Sequence, residues 1–177
     1  MAEPQMTQAL DAIRRIIAVL RRSSRVAESE VGIGAAQLFV LQHLATAPAG
    51  SINELAERTY THQSSVSVVV RRLVEQGLVE LRPGSEDRRR RELRLTRAGK
   101  RLAARAPVPA QIRLIEGLRA LPASQLRKLA HLLNELVQQM GAAGEPPVML
   151  FTEETPGRAA RHRRSKGKSS EKRRTKR

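Results

Sequence analysis

Between Gly50 and Gly99 the apolar spacing changes from helical to alternating and back to helical, and that switch leaves few folds open. Ser51 precedes Ile52-Asn53-Glu54-Leu55-Ala56, a capping-box pattern in which the Ser hydroxyl and the Glu three residues on satisfy each other's exposed amides. This short helix stops near Thr59. Thr61 is the next N-cap by pattern, and a helix follows from about Gln63 to Gln76. It is expected to bury Val66, Val69 or Val70, Leu73 and Val74, with Gly77 as its stop. After Gly77 the period becomes two: Val79 and Leu81 share one side, Pro83-Gly84-Ser85-Glu86 turns the chain, and Leu93 and Leu95 alternate again. Asp87-Arg88-Arg89-Arg90-Arg91 sits at the tip of this hairpin, and Thr96 caps another helix.

Helices flank this centre. From Gln5 to about Glu28, Met6, Leu10, Ile13, Ile17 and Leu20 recur at four, three, four and three, one narrow stripe suited to a helical neighbour in the same chain or a partner. Val31-Gly32-Ile33-Gly34 breaks it. A second helix covers about Ala36 to Ala45, ended by Ala47-Pro48-Ala49-Gly50. Beyond Leu102, Pro107 and Pro109 interrupt the helical pattern, which resumes at Ala110 with Ile112, Ile115 and Leu118 or Leu121 inward. Pro122 opens a last helix, Ala123 to Met140, with Leu126, Leu129, Leu133, Leu136 and Val137 on one face. The boundaries follow: an N-terminal helix and linker over 1–34, a central lobe over 35–102, C-terminal helices over 103–141, and a tail over 142–177 expected to lack order and strongly basic from 158.

Composition narrows the function. The chain of 177 residues carries 33 Lys plus Arg against 17 Asp plus Glu, a formal net charge of +16. Residues 156–177 supply +10 of it and residues 1–140 supply +9, with −3 between. Such a balance points to a polyanionic partner. With no cysteine there is no disulfide, thiolate metal site or thiol switch. One tyrosine, two phenylalanines and no tryptophan leave little for stacking single-stranded bases. No apolar run reaches the roughly 18–20 residues that cross a bilayer, and the N-terminus lacks a secretory pattern, so a cytoplasmic protein is expected. Asp11, Glu28 and Glu54 make no catalytic pair, and His43, His62 and His131 lack ligand spacing. No enzyme, cofactor or metal site is expected.

Helix, helix, turn, helix, basic hairpin is the order of a winged helix-turn-helix, so the fold class is mainly α with a two-stranded wing. A helix fits the major groove of duplex DNA, and a slim basic hairpin reaches the minor groove beside it. On the helix from Gln63, the side opposite Val66, Val69 and Leu73 carries Gln63, Ser64, Ser67, Val68 and Arg71, with Ser65 at the N-terminal end. Short hydroxyl and amide groups there suit base edges and phosphates, while Arg71 and Arg72 suit phosphates or a guanine.

These residues resemble a family. Ser51-Ile52-Asn53-Glu54-Leu55-Ala56 through Gly77-Leu78-Val79, then Asp87-Arg88-Arg89 followed by Leu93-Arg94-Leu95-Thr96-Arg97-Ala98-Gly99, is similar to the multiple-antibiotic-resistance regulator (MarR) family over about Ile52–Leu102. The resemblance implies a homodimeric, sequence-specific DNA-binding regulator, expected to be a repressor on a pseudo-palindromic operator. It implies dimerisation through 5–28 and 110–140, and a small-molecule inducer between stem and lobe. It makes Arg89, within the run of Arg88, Arg89, Arg90 and Arg91, the wing arginine, and Asp87 the residue bracing the hairpin. Two features depart from the family pattern: the Pro107-Val108-Pro109 break and the basic tail. The rival expectation is an architectural, nucleoid-type protein that coats DNA by charge. The tail reads as a chance extension, a non-specific DNA clamp, or a contact for RNA or anionic surfaces; its charge alone predicts affinity without sequence information.

Overall fold

The computed structural model describes residues 3–83, 91–144 and 149–150. Its elements run α1 (Glu3–Val31), α2 (Ala35–Thr46), α3 (Ile52–Arg58), α4 (Gln63–Glu75), β1 (Val79–Pro83), β2 (Arg91–Leu95), α5 (Arg97–Arg105), α6 (Ala110–Arg119) and α7 (Ala123–Gln139). Order and types match the sequence expectation: mainly helical, with one two-stranded antiparallel sheet.

The core forms around α2, whose Leu38, Phe39, Val40, Leu41 and Leu44 are all buried. Leu55 from α3, Val66, Val69 and Leu73 from α4, and Val79, Leu93 and Leu95 from the sheet complete it. A helix apolar on every side belongs at a centre, and α2 takes it.

α1 runs three residues past the expected Glu28 and stops at Val31, followed by Gly32 at φ +70°. Only Leu20, Ala27 and Val31 along it are buried. Its N-terminal two-thirds leaves Met6, Leu10 and Ile17 exposed. α7 has no buried residue; Leu126, Leu133, Leu136 and Val137 of its expected apolar face are all exposed. The proline break is present as read. α5 ends at Arg105, buried Pro109 is the N-cap of α6, and the Ala110 amide donates to Ser23 Oγ of α1 at 3.0 Å. Ile112 and Ile115 lean partly buried against the core. Among the described residues, no helix is long and apolar enough to cross a membrane.

Three local readings need correction. Ser51 Oγ accepts from the Glu54 amide at 3.0 Å, but the Glu54 carboxylate accepts from Gly50 N at 2.7 Å, so the reciprocal half of the capping box falls one residue early. The N-cap of α4 is His62; Thr61 Oγ1 is held by Thr59 Oγ1 at 2.6 Å. Val74 is exposed, because the buried stripe of α4 runs through Val66, Val69, Val70 and Leu73, and Val74 falls at its edge. Leu81 is also exposed, although Val79 on the same side is buried. The helices cover only the base of the hairpin, and β1 runs outward past Glu80.

Candidate nucleic-acid interface

The pair α3–α4 is fixed from beneath by polar contacts. Arg58, at the end of α3, donates to the carbonyls of Pro48 and Ala47 at 2.9 Å each, and to that of His43. One guanidinium thereby closes the exposed C-terminal end of α2. Thr59 is buried, and its hydroxyl bonds the Leu55 carbonyl at 2.7 Å. Tyr60 then turns the chain at φ +52°, a left-handed conformation rare for an aromatic residue. Arg119, at the end of α6, donates to the Tyr60 hydroxyl at 2.9 Å. Neither Arg58 nor Arg119 stood out in the sequence, since charged positions on helix ends usually face water.

α4 buries its valine and leucine stripe and turns its other side outward. Gln63, Ser64 and Arg71 are exposed; Ser65, Ser67, Val68 and Arg72 are half-buried. All seven sequence candidates therefore lie on one helix, with Gln63, Ser64, Ser67 and Arg71 along the side away from the core. The His62 side chain makes no cap hydrogen bond, so the first-turn amides of α4 receive no acceptor from it. Anions are favoured at such a helix start.

The hairpin pairs Val79 with Leu95, Leu81 with Leu93 and Pro83 with Arg91. A third piece of extended chain joins it: Ala49 bridges Leu93, with Ala49 N to Leu93 O at 3.1 Å and Leu93 N to Ala49 O at 2.7 Å. Leu93 is buried between Ala49 and Leu81, which is why it is 1% exposed while Leu81 opposite it is 49%. The stalk arginines are paired with acids, Arg82 to Glu80 at 2.8 Å and Arg94 to Glu92 at 2.6 Å. Asp87, Arg88, Arg89 and Arg90 lie outside the described residues, and Arg91 enters only as the strand residue opposite Pro83.

Thr96 locks α4, wing and α5 together. Its hydroxyl accepts from Gly99 N at 3.0 Å and donates to Gly77 O at 2.7 Å. Gly77, at φ +68°, ends α4. Gly99 lies so close to Leu78 that a Cβ there would stand 2.1 Å from the Leu78 carbonyl oxygen. The glycine in the stretch Leu95-Thr96-Arg97-Ala98-Gly99 is thus a packing requirement.

His43 on α2 meets the ring of Phe39 edge-on at 4.7 Å between centroids, and its Nε2 is buried with no hydrogen-bond partner. Burial, then the nearby charges of Arg58 and Arg119, lower its pKa below the ordinary 6.5. His131 stands 3.5 Å from Glu135 one turn along exposed α7. Among the described residues, no three His, Asp or Glu side chains cluster as metal ligands would.

Residues 31–90 match the sequence profile of the MarR family. The match starts earlier than the motifs read above and ends inside the wing. Among solved structures, the chain is similar to a MarR/EmrR family transcriptional regulator from Acinetobacter, with a TM-score of 0.50 and 22% identity over 80% of this chain and 98% of that one. It also aligns with a MarR family protein from Mycobacterium tuberculosis (TM-score 0.47, 27% identity, 77% and 98% covered). A third alignment is with MarR from Escherichia coli (TM-score 0.45, 26% identity, 70% and 95% covered). No curated protein matches the chain in sequence. The family match over residues 31–90 bears out the resemblance read from the motifs, and the described residues share the winged helix-turn-helix fold of the Acinetobacter regulator.

Proposed function

We propose that this protein is a sequence-specific double-stranded-DNA-binding transcriptional regulator of the MarR type, a dimeric repressor and not an enzyme. The observation that carries the reading is α4, which sets Gln63, Ser64, Ser67 and Arg71 outward on a lobe whose wing is locked beside it through Thr96 and Ala49. In this reading Gln63, Ser64, Ser65, Ser67 and Val68 meet base edges and neighbouring phosphates, and Arg71 and Arg72 hold phosphates or a guanine. Asp87 and the arginines 88–91 serve the minor groove.

Residues 1–34 and 103–141 act as a dimer stem carrying the lobe of residues 35–102. The exposed apolar side chains of α1 and α7, Met6, Leu10, Ile17, Leu126, Leu133, Leu136 and Val137, support this: together they exceed the scattered leucines a monomer leaves in water. Two-fold symmetry then sets two copies of α4 about 34–36 Å apart on a pseudo-palindromic operator. Release by a small ligand rests on the resemblance.

Fragments selected from genomic DNA, competed against random duplex at physiological salt, test the reading. A specific-to-random affinity ratio of about 10³ or more supports it; a ratio near one favours a DNA-coating protein. In sedimentation, Leu133→Asp with Ile17→Asp is expected to give monomers, and an unchanged dimer overturns the stem assignment.

A further inference from the structure

α6 is bonded at its two ends to different parts of the molecule. At its start the Ala110 amide donates to Ser23 Oγ on α1 at 3.0 Å. At its end Arg119 Nη2 donates to the Tyr60 hydroxyl at 2.9 Å, with the guanidinium carbon 5.4 Å from the ring centre. Ten helical residues lie between these bonds, a rod of about 15 Å. Ile112 and Ile115 lean its middle against the core. Ala106 and Pro109 hold extended ψ angles of 147° and 137°, so α6 leaves the line of α5 and takes its own direction. The proline break is what allows one helix to reach both α1 and the turn.

The turn that α6 meets is fixed in shape. Tyr60 stands at φ +52°, and the amides of Tyr60 and Thr61 bond back to the Glu57 and Ala56 carbonyls at 3.1 and 3.0 Å. Only Thr61 and His62 separate the ring from Gln63, the first residue of α4. A force on the ring therefore reaches the start of α4 with little chain between to absorb it.

We propose that α6 is a strut between α1 and the α3–α4 turn, in which Arg119 is a positioning residue: acting through Tyr60, it sets the angle at which α4 presents Gln63, Ser64, Ser67 and Arg71 to DNA. The inference rests on the DNA-reading role of α4. Hydrogen bonds to base edges tolerate little error in distance or angle, whereas attraction between arginines and phosphates is far less directional. A loosened α4 thus loses its selected sequence while keeping its hold on any duplex. The ring is 66% exposed, which puts the contact in the weak class and its effect on binding at about two- to fivefold.

Full-chain Arg119→Ala, Arg119→Lys and Ser23→Ala variants are titrated with a selected and a random duplex from 50 to 200 mM salt, and hydrogen exchange is followed at the amides of Gln63 to Val66. Arg119 is exposed, so its removal leaves the core intact. Arg119→Ala and Ser23→Ala should each weaken the selected duplex about two- to fivefold and speed exchange at those amides, with little change in random-duplex affinity or salt slope. Arg119→Lys, which keeps a cation and a donor, should restore most of the loss. Equal weakening of both duplexes by Arg119→Ala, with a salt slope smaller by about one, makes Arg119 a phosphate contact and overturns the strut. Unchanged selected-duplex affinity and exchange in Arg119→Ala overturn it too. An effect of Arg119→Ala that Ser23→Ala lacks overturns the link to α1. A specific-to-random ratio near one in the parent protein is the failure of the α4 reading, and the exchange rates still decide whether α6 holds the start of α4.

Discussion

Arg119 lies with its guanidinium carbon 5.4 Å from the centre of the Tyr60 ring while its Nη2 donates to that ring's hydroxyl at 2.9 Å. The pair spans 59 residues and ties the end of α6 to the turn between α3 and α4. The ring is largely exposed, so the attraction belongs to the weak class, about 0.5–1 kcal/mol. Arg119→Ala and Tyr60→Ala are expected to couple in a urea-unfolding double-mutant cycle by about that amount or slightly more, since the hydroxyl contact is lost with the ring. Strict additivity would mean the two side chains act separately.

Gly99→Ala should be the costliest small change in the lobe. Its Cβ meets the backbone oxygen of Leu78 rather than a side chain that can swing away, so α5 must leave the wing. A loss of about 3 kcal/mol is expected, at the upper end for overpacking. An unfolding free energy within 1 kcal/mol of the parent would show that α5 shifts freely.

Thr96→Ala removes an N-cap acceptor and the donor to Gly77 O together, whereas Ser51→Ala removes a cap alone. Costs of about 2 and about 1 kcal/mol are expected. Thr96→Ser, which keeps the hydroxyl, should recover most of the loss in thermal unfolding.

His43 gives the lobe a pH dependence of known sign. Unfolded, the imidazole takes a proton near pH 6.5; folded, burial and the charges of Arg58 and Arg119 push that event lower. Between the two, the unfolded chain binds more protons. Stability is therefore full above about pH 6.5 and falls as pH drops toward the folded value. His43→Phe, which keeps an edge for Phe39, should lose less stability than the parent between pH 7.5 and 5.5 in urea titrations.

Much of this was legible because the signals are local. The helix stops at Gly32 and Gly77, the cap at Thr96 and the break at Pro107 and Pro109 each depend on residues a few positions apart, and all occur where the sequence puts them. What escaped is non-local. Ala49 is an ordinary loop alanine until Leu93 arrives beside it from 44 residues away. Met149 stands in a run of only four apolar residues, 148–151, with no repeat to announce its burial, and Arg119 gains significance only because α6 brings it to Tyr60. Of the candidate site, the α4 residues could be placed from periodicity alone, since a stripe of buried valines dictates which side faces out.

The Ala49–Leu93 bridge has a mechanical consequence. The hairpin is not a free arm hinged on α5, because its base is bonded to the segment that leads directly into α3. A push on the stalk is delivered to Ser51 and so to the front of the helix pair. On the proposed DNA-reading role, depth of entry by α4 and angle of entry by the hairpin become a single coordinate. A duplex whose groove widths are mismatched would be rejected as a whole, by stiffness, before any base edge is tested.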